Sequence, residues 1–95
     1  MKREEFQEQA KQKIDDIFRK IDELEVKKEA ASESVKEKIG EQIEALKQKK
    51  NELLEKFDNL KEASAESWED IKDAFTESTE VFWHKITGIK KHFRD

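Results

Sequence analysis

Ninety-five residues suffice for one small domain, which buries roughly 60 to 65% of the surface its unfolded chain exposes and has little stability to spare. Charged residues make up 46% of the chain and apolar ones 34%, close to the balance of disordered chains, so the order of the residues decides whether a core exists. The 20 Lys and Arg and 24 Asp and Glu give a net charge of -4 in mixed order, which speaks against a surface that tracks nucleic-acid phosphates.

Proline is absent and only two glycines occur, so nothing forbids helix and the turn chemistry of an all-β fold is lacking. With no cysteine there is no disulfide framework and no thiolate ligand, which fits a reducing compartment. The opening MKREEFQEQA places acids where an export signal has its apolar core, and no run of roughly 18 apolar residues follows. A cytoplasmic location is therefore expected.

The first element is marked by Phe6, Ala10, Ile14, Ile17, Ile21, Leu24 and Ala31, in steps close to a helical turn. The stripe resumes at Val35, Ile39, Ile43, Leu46, Leu53, Phe57 and Leu60, and again at Trp68, Ile71, Phe75, Phe82, Ile86, Ile89 and Phe93. These runs predict helices over 2–31, 34–62 and 67–93, each about 40 Å long at a rise of 1.5 Å per residue.

Two junctions divide the helices. They read KEAASES from Lys28 and KEASAES from Lys61, and in each a serine precedes an acid by three positions, Ser34 with Glu37 and Ser67 with Asp70. That is the spacing of a capping box or its Asp variant, in which the serine oxygen accepts from an unpaired N–H at a helix start. Acids open the first and third segments and bases close them, as the helix dipole favours. Apolar doublets, Ile17 with Phe18, Leu53 with Leu54 and Phe82 with Trp83, widen each face beyond a narrow seam, so each helix needs two neighbours.

The expected fold is accordingly all-α: a single domain over 1–95, built as an antiparallel three-helix bundle. An extended coiled-coil rod or a helical hairpin is the alternative. Lys28, Lys50, Ser78 and Lys85 interrupt the stripes. Lysine stems cover apolar surface while their ammonium groups reach water, so rim positions are expected, with Lys50 as a fixer of register the sharper alternative.

No phosphate loop, nucleophile elbow or zinc-ligand spacing occurs, and no enzymatic activity, cofactor or metal is expected. His84 follows Glu80 by four residues, a pair better read as solvated helix surface than as metal ligands. The third segment is the least ordinary, holding five of the eight aromatics, Trp68, Phe75, Phe82, Trp83 and Phe93, ahead of a basic tail of Lys90, Lys91 and Arg94. The five aromatics share an arc of about 120° with Ile71, Ile86 and Ile89, and Val81 lies well outside it. This face either packs as core or forms an interaction surface for a partner helix or a membrane, and its acidic first half opposes anionic lipid.

The stretch from Gln42 to Phe75 resembles a family of short bacterial coiled-coil stress-response proteins. The matching residues are Gln42, Ile43, Leu46, Lys47 and Lys49, then Leu60-Lys61-Glu62-Ala63-Ser64 and Ser67-Trp68-Glu69-Asp70-Ile71-Lys72. They span about a third of the chain, and the chain departs from the family pattern in its second tryptophan, Trp83, 15 residues after Trp68. The resemblance implies a cytoplasmic helical protein linked to stress tolerance, with no catalytic residues to carry over.

The leading expectation is a non-enzymatic interaction or stress-protective bundle that engages an unidentified protein or itself, and no nucleic acid. Peripheral membrane binding through the third helix is the second reading. A structural spacer shares the bulk features, but Thr76, Thr79, His84 and Gly88 make segment three unlike an idealised helix.

Overall fold

A computed structural model describes residues 2–93 of the chain. Three helices, α1 (Arg3–Glu29), α2 (Glu33–Glu62) and α3 (Trp68–Lys90), run up, down and up, and each packs against the other two. A single 3₁₀ turn, Lys91–Phe93, prolongs α3. The bundle measures 50 × 19 × 15 Å with a radius of gyration of 15.4 Å, which excludes the extended rod. Its long axis is set by α2, whose 30 residues alone span about 45 Å.

The helix boundaries lie within a few residues of those expected, but the capping differs from the serine-acid spacing. The α1 helix tightens at its end, where the Ala30 and Ala31 N–H groups donate to the Lys27 and Lys28 carbonyls at 3.2 and 3.0 Å. These i to i−3 bonds satisfy terminal carbonyls. The chain therefore leaves α1 early, and Ser32, not Ser34, takes the extended cap conformation, its Oγ accepting from the Val35 N–H at 3.4 Å. Ser34 falls inside the first turn of α2.

The second junction is longer and is organised by a different serine. Ser64 Oγ accepts from the Ser67 N–H at 3.3 Å and meets Ser67 Oγ at 2.9 Å. Ser67 already has helical backbone angles, φ -95° and ψ -5°, and makes no side-chain cap. With its hydroxyl turned back to Ser64, it forms no capping box with Asp70. Two similar heptapeptides thus give unlike turns, because a cap depends on which serine leaves the helical conformation first.

The expected stripes meet along the bundle axis. Ile14, Ile17, Ile21 and Leu24 of α1, Ile39, Ile43, Leu46, Leu53 and Leu60 of α2, and Phe75, Phe82, Ile86 and Ile89 of α3 are buried. Thr79, outside the expected stripe, joins them at 2% exposure, its hydroxyl satisfied by donating to the Thr76 carbonyl at 2.8 Å. That local bond lets a polar residue occupy a core position without an unpaired group. Lys50 lies at the rim, its Nζ 5.0 Å from the Phe18 ring centroid and 3.8 Å from Asp22 Oδ1.

Candidate functional site

The third helix does not present its aromatics as one surface. Phe75 and Phe82 are core residues, at 1% and 5% exposure. Trp68, Trp83 and Phe93 are half-buried and border that core. The two ends of the face lie about 35 Å apart along the helix.

At the end where α1 begins, Trp68 meets Phe6 edge to face at 5.7 Å between centroids, and Phe6 meets Phe75 at 6.3 Å. Phe57 of α2 completes the cluster, 6.4 Å from Phe75. Arg3 closes it from above, its guanidinium 4.7 Å from the Trp68 ring centroid. The same guanidinium donates to the Leu60 carbonyl at 3.2 Å and to that of Ala63. One cation thus satisfies carbonyls at the end of α2, where the helix dipole also favours positive charge, and stacks on the first residue of α3.

At the opposite end Phe93 lies 6.0 Å beneath the Lys27 ammonium. Exposed Lys90 and Lys91 line a cavity of about 420 Å³ with Lys27, Thr87 and Phe93. Arg94, grouped with them by sequence, lies outside the described residues.

The broader concavity lies between α2 and α3, a groove of about 740 Å³. Leu46, Leu53 and Phe82 form its floor, Ala74 and Val81 part of its wall, and Lys49, Lys56 and Lys85 line it as well. Val81 is 49% exposed. Lys56 donates its ammonium proton to Ser78 Oγ across the two helices. Further along, the ammonium of Lys49 beside Lys85 holds the Lys85 pKa below the usual lysine range. Glu52, Glu77, Glu80 and His84 also line the groove, yet among the described residues none of its lysines or glutamates forms an ion pair.

The α1–α2 seam differs. There Lys47 meets Glu25 at 2.8 Å, and this hydrogen bond and charge lower the Glu25 carboxyl pKa and raise that of Lys47. Cation and anion are matched on that side and unmatched in the groove. The groove was invisible to stripe analysis because its walls are the polar flanks of two helices. Two signals in the sequence bore on it, Val81 standing outside the apolar arc and Lys85 interrupting the stripe.

Among the described residues, no three His, Cys, Asp or Glu side chains converge to hold a metal ion, and no helix is long and apolar enough to cross a membrane. In comparisons with known proteins, no family model, curated sequence or solved structure matches the chain.

Proposed function

We propose that this chain is a non-enzymatic interaction bundle of the stress-protective kind, holding an apolar helix face in reserve inside a highly charged small domain. The observation that carries this reading is α3 itself. Its core side gathers Phe75, Phe82, Ile86 and Ile89, bordered by half-buried Trp68 and Trp83, while its other side stays charged. When the bundle loosens, that face becomes available to unfolding proteins, and the 46% charged composition opposes aggregation of the opened chain.

Stabilising the bundle tests the reading. Gly40 and Gly88 lie within helices, with open space where a Cβ would stand. The G40A/G88A variant therefore gains about 1 to 2 kcal/mol, or about 4 to 16 °C in Tm. Light scattering of a thermolabile enzyme, heated with either form, should show suppressed aggregation, with an onset that moves upward in the stabilised variant. Absence of suppression, or an unchanged onset, refutes the proposal.

A second reading is favoured by exposed Lys90, Lys91 and His92 beside half-buried Phe93: peripheral contact with an anionic membrane surface, begun at the end of α3.

A further inference from the structure

We propose that the chain exchanges α3 with a second copy of itself: the α2–α3 junction straightens, α2 and α3 become one helix, and each α3 packs against α1 and α2 of the other copy. The core face of α3 stays buried in this dimer, so the inference is independent of the reserve-face reading.

The residues of the turn favour helix. Glu62, Ala63, Ala65 and Glu66 are strong helix formers, no glycine stands between Gly40 and Gly88, and the chain has no proline. No described residue takes a positive φ, so the bend uses no conformation that glycine alone would supply. Ala63 leaves the helix with φ -60° and ψ 138°, so its φ is already helical and only ψ departs.

The bend is held by bonds that the straight form would replace. A continuous helix pairs the Leu60, Lys61 and Ala63 carbonyls with the N–H groups four residues on, at Ser64, Ala65 and Ser67. Among the described residues none of these pairings is made. The three carbonyls accept from the Arg3 guanidinium instead, Leu60 at 3.2 Å and Lys61 at 3.5 Å, and the Ser67 N–H turns to Ser64 Oγ at 3.3 Å. Arg3 and Ser64 thus occupy groups that the straight helix needs, and together they latch the bend.

The apolar stripe also carries through the straight form. Leu60, Ser64, Ser67, Ile71 and Phe75 follow at steps of four, three, four and four, along one helix face. Because α2 and α3 already run antiparallel, with Lys56 beside Ser78, exchange sets the two long helices antiparallel about an axis midway between these residues, at Ser67. Small serines at that crossing permit a close approach, and α3 recovers its packing against α1 and α2 across the axis.

Refolding of the full chain from urea, at micromolar and at millimolar concentration, tests this by size exclusion with light scattering. The parent chain should yield a dimer from the concentrated sample alone. Its longest dimension by small-angle scattering should be about 90 Å, the length of one helix over residues 33–93, against 50 Å for the monomer. A K56C chain refolded together with an S78C chain should join through a short bis-maleimide, a link that two closed bundles stacked together do not permit. Arg3→Met, which releases the latch, should tighten the dimer at least about tenfold, and A63G/A65G, which weakens the straight helix, should loosen it by about as much. Circular dichroism checks that both variants fold, and A63G/A65G alone decides the hinge if Arg3→Met does not. Absence of a parent dimer, a dimer about as short as the monomer, or absence of the link between positions 56 and 78 overturns the proposal. So does a dimer affinity that the hinge glycines leave unchanged.

Discussion

Replacing Arg3 by Met puts the junction between α2 and α3 at risk without touching the buried core. The guanidinium donates to the Leu60 carbonyl at 3.2 Å and to that of Ala63, and covers Trp68 at 4.7 Å. A hydrogen bond from a charged donor contributes about 1.5 to 3 kcal/mol, and an exposed cation–π contact about 0.5 to 1. One head group makes all these contacts at the rim, so they do not sum, and we expect a loss of about 1 to 3 kcal/mol on Arg3→Met. Arg3→Lys keeps the charge but not the planar fork, and should fall between the two. Urea unfolding followed by circular dichroism measures both. The Arg3→Met and Trp68→Leu double-mutant cycle isolates the stacking contribution, and hydrogen exchange should accelerate first at residues 64–68. A loss below about 0.5 kcal/mol, the ordinary range of surface substitutions, would refute the clamp.

Core truncation separates the faces: Leu46→Ala and Phe75→Ala, each at 1% exposure, should cost about 2 to 5 kcal/mol in denaturant unfolding, while Glu44→Ala on the outer face should change little. The Glu25–Lys47 pair predicts a pH dependence with a defined sign. Because the folded carboxyl pKa of Glu25 lies below its ordinary 4.5, its contribution is present above that value and lost as pH falls through the lowered pKa. The stability difference between the parent chain and Glu25→Gln should therefore close on acidification, and a difference that persists in strong acid would contradict this. Anionic vesicles should barely move Trp68 and Trp83 emission at neutral pH, because both side chains border the packed core and the acidic residues of α3 oppose anionic headgroups. A large blue shift at neutral pH and physiological salt would promote the membrane reading.

The three helices were legible because long-period burial dominates their energetics: Ile14, Ile17 and Ile21, or Ile39, Ile43 and Leu46, have no other place to go once helix forms. The turns were legible in position and not in chemistry. Ser32 and Ser64 act where Ser34 and Ser67 were expected, because the side chain that caps is fixed by the backbone angles of the preceding turn, which local spacing does not encode. Arg3 shows a second limit. Its partners lie 57 to 60 residues away, and nothing near the start of the chain announces that it will clamp the far end of α2. The groove shows a third, since its walls are the polar flanks of two helices that meet only in the fold.

The reserve face of α3 makes a thermodynamic demand with a definite sign, and thermal scans read it. Phe75, Phe82, Ile86 and Ile89 cannot meet a client while they fill the core, so binding through them must offset the free energy of opening, commonly about 5 to 15 kcal/mol for a small domain. A client of that kind prefers the opened chain and lowers the apparent Tm in proportion to its concentration. A ligand that met only the folded bundle would instead raise Tm by linkage, by the equivalent of about 2.7 kcal/mol at a hundred times its Kd. Thermal scans with increasing amounts of an unfolded client protein should therefore shift downward. An upward shift, or none at any client concentration, would mean that clients do not meet Phe75, Phe82, Ile86 and Ile89 in the opened chain, and would refute the reserve-face reading.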